Sequence, residues 1–213
     1  MIFIKYFRFA IYLTVAYCFS SANAGSFDDF FRAVRSDNAV AVAELLQRGF
    51  DPNSHEETGQ SALGLAVREG SDQVVDVLLK QAQLDIDAQN SAGETALMLA
   101  ALKGRLDLAR RFIERGAAVR QAGWNPLHYA ATGPEPQIVA LLLQRGAPID
   151  APSPNGTTAL MMAARYGNEQ SVALLLEQHA DTHARNQRGM NAADFARSAG
   201  RETLAKRLES RLP

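Results

Sequence analysis

The chain holds four histidines, five methionines, one tryptophan and one cysteine, and their spacing limits the chemistry they could do. His179 and His183 stand four apart, the interval of two zinc ligands on one helix face. They fall across the end of a helical pattern and the loop after it, so no shared face is expected. Met98, Met161 and Met162 could offer soft thioether donors to copper. Met98 and Met161 sit where His128 sits in another copy of an internal pattern, and Met162 is next to it. At such positions a flexible thioether reads as core packing. There is no Gly-x-Ser-x-Gly elbow, phosphate loop, His-Glu-x-x-His or cysteine pair. The charged residues read as solvated faces. No catalytic residue, metal or cofactor is expected, and the chain does not read as an enzyme.

The elements that must position these residues repeat. Gly59, Gly93, Gly123, Gly156 and Gly189 are 34, 30, 33 and 33 residues apart, a period that marks a stacked array. Two residues after them come Ser61, Thr95, Asn125, Thr158 and Asn191. Four residues after come Leu63, Leu97, Leu127, Leu160 and, in the last copy, Ala193. Ala66, Ala100, Ala130, Ala163 and Ala196 follow at seven. Gly70, Gly104, Gly167 and Gly200 follow at eleven. A bulky pair closes four copies: Leu78-Leu79, Phe112-Ile113, Leu142-Leu143 and Leu175-Leu176.

Leu and Ala at helical spacing give a first helix one narrow apolar face. Alanine lets it lie close to its neighbours. The glycine at eleven is expected to end that helix in a left-handed conformation, and the bulky pair to bury a second helix. One such unit cannot cover both of its apolar sides, so units must stack. The approximate units are 27–56, 57–90, 91–120, 121–153, 154–186 and 187–209. Ala82 and His179 stand where neighbouring units have a closing glycine; Ala82 would cost about 1 kcal/mol if left-handed. Gly133-Pro134-Glu135-Pro136 replaces the usual helix end in the fourth unit, and the loop before that unit is three residues short. Asp28, Asp29, Arg32 and Arg35 at one end, and Asp194 with the stretch from Arg201 to Arg211 at the other, read as polar caps. The phase predicts a domain roughly two-thirds helical, above the usual one-third.

Asn125-Pro126-Leu127-His128-Tyr129-Ala130 resembles the Thr-Pro-Leu-His-x-Ala word of the ankyrin repeat family, with Asn in place of Thr. Gly116-Ala117 and Gly146-Ala147 resemble its closing Gly-Ala. The resemblance covers residues 27–209. It implies an all-α ankyrin-repeat solenoid of about six helix-turn-helix units with hairpin loops. It also implies that His128 bonds between neighbouring loops. It names no partner, because fold alone does not fix function.

Residues 1–24 are of another kind. Lys5 and Arg8 precede the apolar run Ile11 to Phe19, and Ala22-Asn23-Ala24 offers a small-x-small cleavage site. That order predicts a secretory signal peptide, residues 1–24, ahead of an ankyrin domain at 25–213. An uncleaved N-terminal anchor is the alternative, although the run is shorter than the twenty or so residues a membrane span needs. Tyr17 before Cys18 argues against lipidation. Cleavage would remove the only cysteine and change the charge from −1 to −3, with 20 basic residues against 23 acidic. This balance points to neither nucleic acid nor an anionic membrane surface. Export together with the resemblance implies the periplasm, or secretion, and a monomer that binds another protein without inserting into a membrane.

Trp124 lies between Gly123 and the helix-opening word, where the resemblance implies a surface position near the loop tips on the concave side. It reads either as filler beneath the shortened loop or as a recognition anchor, since tryptophan is over-represented at binding hot spots. The equivalent places in other units hold Gln60, Glu94 and Met190. Arg68, Lys103, Arg165 and Tyr166 hold outward places on first helices. These eight are the candidate partner-binding residues. The leading functional expectation is a non-enzymatic binding scaffold in the periplasm, with support of peroxide defence through a catalase as its extension. The other is an immunity or inhibitor protein that occludes an exported enzyme or toxin.

Overall fold

The computed structural model describes residues 25–210; the expected signal peptide lies outside the described residues. Twelve helices occur among them: α1 (residues 25–35), α2 (Ala39–Gln47), α3 (Ala62–Glu69), α4 (Asp72–Leu79), α5 (Ala96–Leu102), α6 (Leu106–Glu114), α7 (Pro126–Thr132), α8 (Pro136–Gln144), α9 (Ala159–Arg165), α10 (Glu169–Glu177), α11 (Ala192–Ser198) and α12 (Glu202–Glu209). About half of the described residues are helical rather than two-thirds, because each repeat spends the rest on turns and a hairpin loop. An isolated antiparallel bridge joins His55 to Ser61.

The chain forms two units. The first takes residues up to Glu57 together with Ser61–Leu84; the second takes Thr58–Gln60 and the chain from Asp85 on. In the first unit, Phe30, Val34, Val42, Val74, Val75 and Leu78 are fully buried. The Phe30 ring stacks on Phe50 at 4.2 Å. Asp37 takes a left-handed φ of 52°. Its carboxylate accepts the Val74 N–H at 2.9 Å and Gln73 Nε2 at 3.3 Å, capping α4. That anion at a helix N-terminus offsets the backbone strain.

In the second unit the first helices α5, α7, α9 and α11 pack in series. The second helices α6, α8 and α10 form a parallel row, and α12 packs on α11. Every helix-opening word works as an N-cap: Thr95, Asn125, Thr158 and Asn191 each accept a backbone N–H from the first turn, as Ser61 does in the first unit. Such caps contribute about 1 kcal/mol each. The alanines at the seventh place are all fully buried. Of each bulky pair only the first member is fully buried, Leu78, Phe112, Leu142 and Leu175; the second is half-buried.

Two expectations change. Gly70, Gly104 and Gly200 end first helices with positive φ, but Gly167 does not. A Cβ on Gly167 would collide with the Ala131 carbonyl oxygen, and one on Gly133 with that of Ala101. These two glycines are there for close approach between adjacent first helices. Ala82 is not left-handed, so the expected strain is absent there. It falls instead on His179, with φ 63°.

The hairpin loops are tied by side chains. Asn90 Oδ1 accepts the N–H groups of Ala92 and Glu94, and Asn186 Oδ1 those of Arg188 and Met190. Asp87 accepts the Ala118 N–H and Asp150 the Asp181 N–H, one repeat further on, both at 2.9 Å. Arg201, expected as an outward cap residue, reaches back across 34 to 38 residues. Its Nη1 donates to the carbonyls of Ala163, Ala164 and Gly167 at 3.1, 3.0 and 2.8 Å. It thereby caps the C-terminal end of α9, adding a charged donor to carbonyls of its last turn.

Candidate functional site

The second unit carries a cleft of about 230 Å3 on its first-helix side, lined by Leu102, Trp124, His128, Tyr129, Thr132 and Met162. Three consecutive first helices build it. Leu102 is the last residue of α5. His128, Tyr129 and Thr132 come from α7, and Met162 from α9. Trp124 enters from the loop just before the Asn125 cap. Asn125 Oδ1 accepts the N–H groups of Leu127 and His128, at 3.0 and 3.3 Å, and so fixes where α7 begins.

His128 is 1% exposed. Its Nε2–H donates to the Thr157 carbonyl at 2.9 Å, so the bond between neighbouring loops that the resemblance implied is present. Burial pushes its pKa below 6.5, and the backbone groups of Thr157 and Ala151 oppose that more weakly. The neutral imidazole meets Trp124 edge to face, ring centroids 5.2 Å apart and planes at 74°. Trp124 is half-buried: part of the indole packs on the histidine and part walls the cleft.

The Tyr129 hydroxyl donates to Glu94 Oε1 at 2.9 Å. Asn90 Nδ2 donates to Glu94 Oε2 at 2.8 Å and to Gln60 Oε1 at 3.1 Å. Burial, then the bond to Glu94, raises the Tyr129 pKa well above its ordinary value. The phenol is therefore a fixed neutral donor. Both Glu94 oxygens are engaged. The Thr132 hydroxyl donates to the His128 carbonyl at 2.9 Å. What remains open to the cleft is mainly hydrocarbon and aromatic surface, suited to an apolar side chain.

The structure brings four candidates to this region. Trp124 forms a wall and Glu94 anchors Tyr129. Lys103 is exposed directly after Leu102, and Arg165 lies one helical turn beyond Met162. The Arg165 guanidinium sits 5.1 Å from the Tyr166 ring centroid, and Tyr166 is 57% exposed. Gln60 is a correction: it is 4% exposed and bound to Asn90, so a partner cannot reach it. Met190 is half-buried, its backbone held by Asn186. Arg68 belongs to the first unit and is bonded to Glu56 and Glu69. Glu56 is almost wholly buried and also pairs with Arg35. Met162, expected in the core, lines the cleft instead. Tyr129 and Thr132 escaped the sequence reading; being three apart after the opening word was the available signal. Among the described residues no three His, Cys, Asp or Glu side chains gather as a metal site would require.

A family profile described as Ankyrin repeats (3 copies) matches residues 30–121, 82–153, 118–187 and 135–209. The chain belongs to the ankyrin-repeat family. Ankyrin repeats bind other proteins, and this chain is such a protein-binding array. It is 32% identical over 142 residues to the nuclear factor NF-kappa-B p105 subunit of Gallus gallus, covering 63% of this chain and 14% of that protein. It is 29% identical over 189 residues to protein glp-1 of Caenorhabditis elegans, covering 81% of this chain and 15% of that one. The chain thus spans a small part of these curated relatives. Among solved structures it resembles a chain from the predatory endopeptidase Bd0816 of Bdellovibrio bacteriovorus in complex with immunity protein Bd3460. The TM-score is 0.73 and the identity 28%, over 86% of this chain and 97% of that one. No helix among the described residues is long and apolar enough to cross a membrane.

Proposed function

We propose that this protein is a non-enzymatic immunity or inhibitor protein that works in the periplasm, where it occludes an exported enzyme. The observation that carries the reading is the likeness to one chain of an endopeptidase–immunity complex, over 86% of this chain and 97% of that one. The cleft supports it, because an apolar recess with a half-buried tryptophan can seat an anchor residue of a partner. The basic start, apolar run and Ala22-Asn23-Ala24 support export. Support of peroxide defence through a catalase remains the second reading, and nothing in the cleft favours it.

The test is capture of the partner on tagged protein from the exported fraction of the producing cells, followed by titration of the captured enzyme's activity. The reading expects a hydrolase that loses activity at one equivalent of this protein. A catalase, or an enzyme left fully active by saturating protein, overturns it. Export is tested separately: mass spectrometry of the exported protein should place the N-terminus at Gly25, and intact Met1 in a membrane fraction contradicts that.

A further inference from the structure

Two cations stand close in the chain to residues that line the cleft. Lys103 stands exposed beside Leu102, and Arg165 follows Met162 on the same face of α9. Among the described residues no carboxylate pairs with either cation. The acidic neighbour, Glu94, has each oxygen bonded inside the unit, to Tyr129 and Asn90. The only described contact of the Arg165 guanidinium is the Tyr166 ring. Leu102, which lines the cleft, is 39% exposed, and Tyr166, beside Arg165, is 57% exposed. Exposed apolar surface and unpaired cations around one recess mark an interaction site more than either does alone.

We infer that the cleft receives an acidic, extended segment of the partner: one leucine-like or aromatic side chain enters between Trp124, Tyr129 and Met162, and carboxylates beside it meet Lys103 and Arg165. This rests on the reading of the protein as a binding module, and adds the chemistry of what it binds. The apolar side chain supplies most of the affinity. The two cations select acidic neighbours and speed encounter, because rim charges act on specificity and on-rate. Arg165 is suited to the task, since its planar fork can hold a carboxylate bidentately while stacked on Tyr166.

The probes are three blocked heptapeptides: Gly-Ser-Asp-Leu-Asp-Ser-Gly, the same peptide with both Asp changed to Lys, and the same with Leu changed to Gly. Binding is read by the fluorescence of Trp124, the chain's only tryptophan, and by amide shifts in NMR spectra. The acidic leucine peptide should shift Trp124 and the amides of Leu102, Tyr129 and Met162. The lysine and glycine peptides should bind at least tenfold more weakly. The double variant Lys103→Glu/Arg165→Glu should reverse the order and prefer the lysine peptide, an outcome that a misfolded variant could not give. Equal binding of acidic and lysine peptides, or shifts confined to other parts of the surface, overturns the inference. If the peptides fail while the protein still silences its captured enzyme, the inference falls and the functional reading stands.

Discussion

Trp124 serves packing and exposure at once, and its two roles can be separated. Removing the indole strips His128 of its aromatic neighbour and widens the cleft. Trp124→Ala should therefore melt several degrees lower and also weaken partner binding by about 2 kcal/mol or more. Changing Gln144 or Glu177, at the ends of second helices away from the cleft, should leave binding unchanged. His128 gives a pH dependence. Its folded pKa lies below 6.5 because burial opposes the charged form, so the unfolded chain binds the extra proton first as pH falls. The stability it holds is complete above pH 6.5 and is lost as pH falls from there toward the lowered folded value. Urea unfolding from pH 8 to 5 should show this decline, and His128→Gln, less stable overall, should show less of it. The left-handed strain at exposed His179 should be relieved by His179→Gly, raising stability by about 1 kcal/mol.

At the scale of elements, most of the architecture was legible in the sequence because each repeat states it again. The caps at Ser61, Thr95, Asn125, Thr158 and Asn191 and the buried alanines at the seventh place stand where the phase put them. What escaped depended on distances between repeats. Gly133 and Gly167 look like ordinary helix ends, and only the approach of the Ala101 and Ala131 carbonyls shows why neither can carry a Cβ. Gly133 has φ −72° and ψ 168°, which any residue can adopt. Alanine there would otherwise gain stability by restricting the unfolded chain. The collision reverses the sign: Gly133→Ala should lose about 1–3 kcal/mol, and an unchanged melting temperature would contradict this packing. Arg201 was hidden for the same reason, its carbonyl partners lying a full repeat earlier. Arg201→Ala should lose about 1–3 kcal/mol for its charge-assisted bonds. Arg201→Lys should recover only part, because a point charge cannot replace the guanidinium. The cleft was half legible: repeat equivalence singled out Trp124, which lines it. It also promoted Gln60, which Asn90 holds inside, and missed Met162, because the phase does not say which of two adjacent methionines faces outward.

For the molecule as a whole, the account joins a repeat array with no assembled metal site among its described residues to an apolar recess with two cations close in the chain to its lining residues. Ankyrin repeats supply a rigid surface, and the differences between repeats decide what that surface accepts. The short loop before the fourth unit and its lone tryptophan are where this array departs from its own pattern. The decisive measurement is the affinity of the captured enzyme for wild type, Trp124→Ala and Glu177→Ala, taken with thermal melts of the same preparations. The account predicts binding at least about thirtyfold weaker for Trp124→Ala, the equivalent of about 2 kcal/mol, and wild-type binding for Glu177→Ala. A Trp124→Ala protein that melts lower yet binds the enzyme as tightly as wild type would contradict it, and would leave the indole as packing alone.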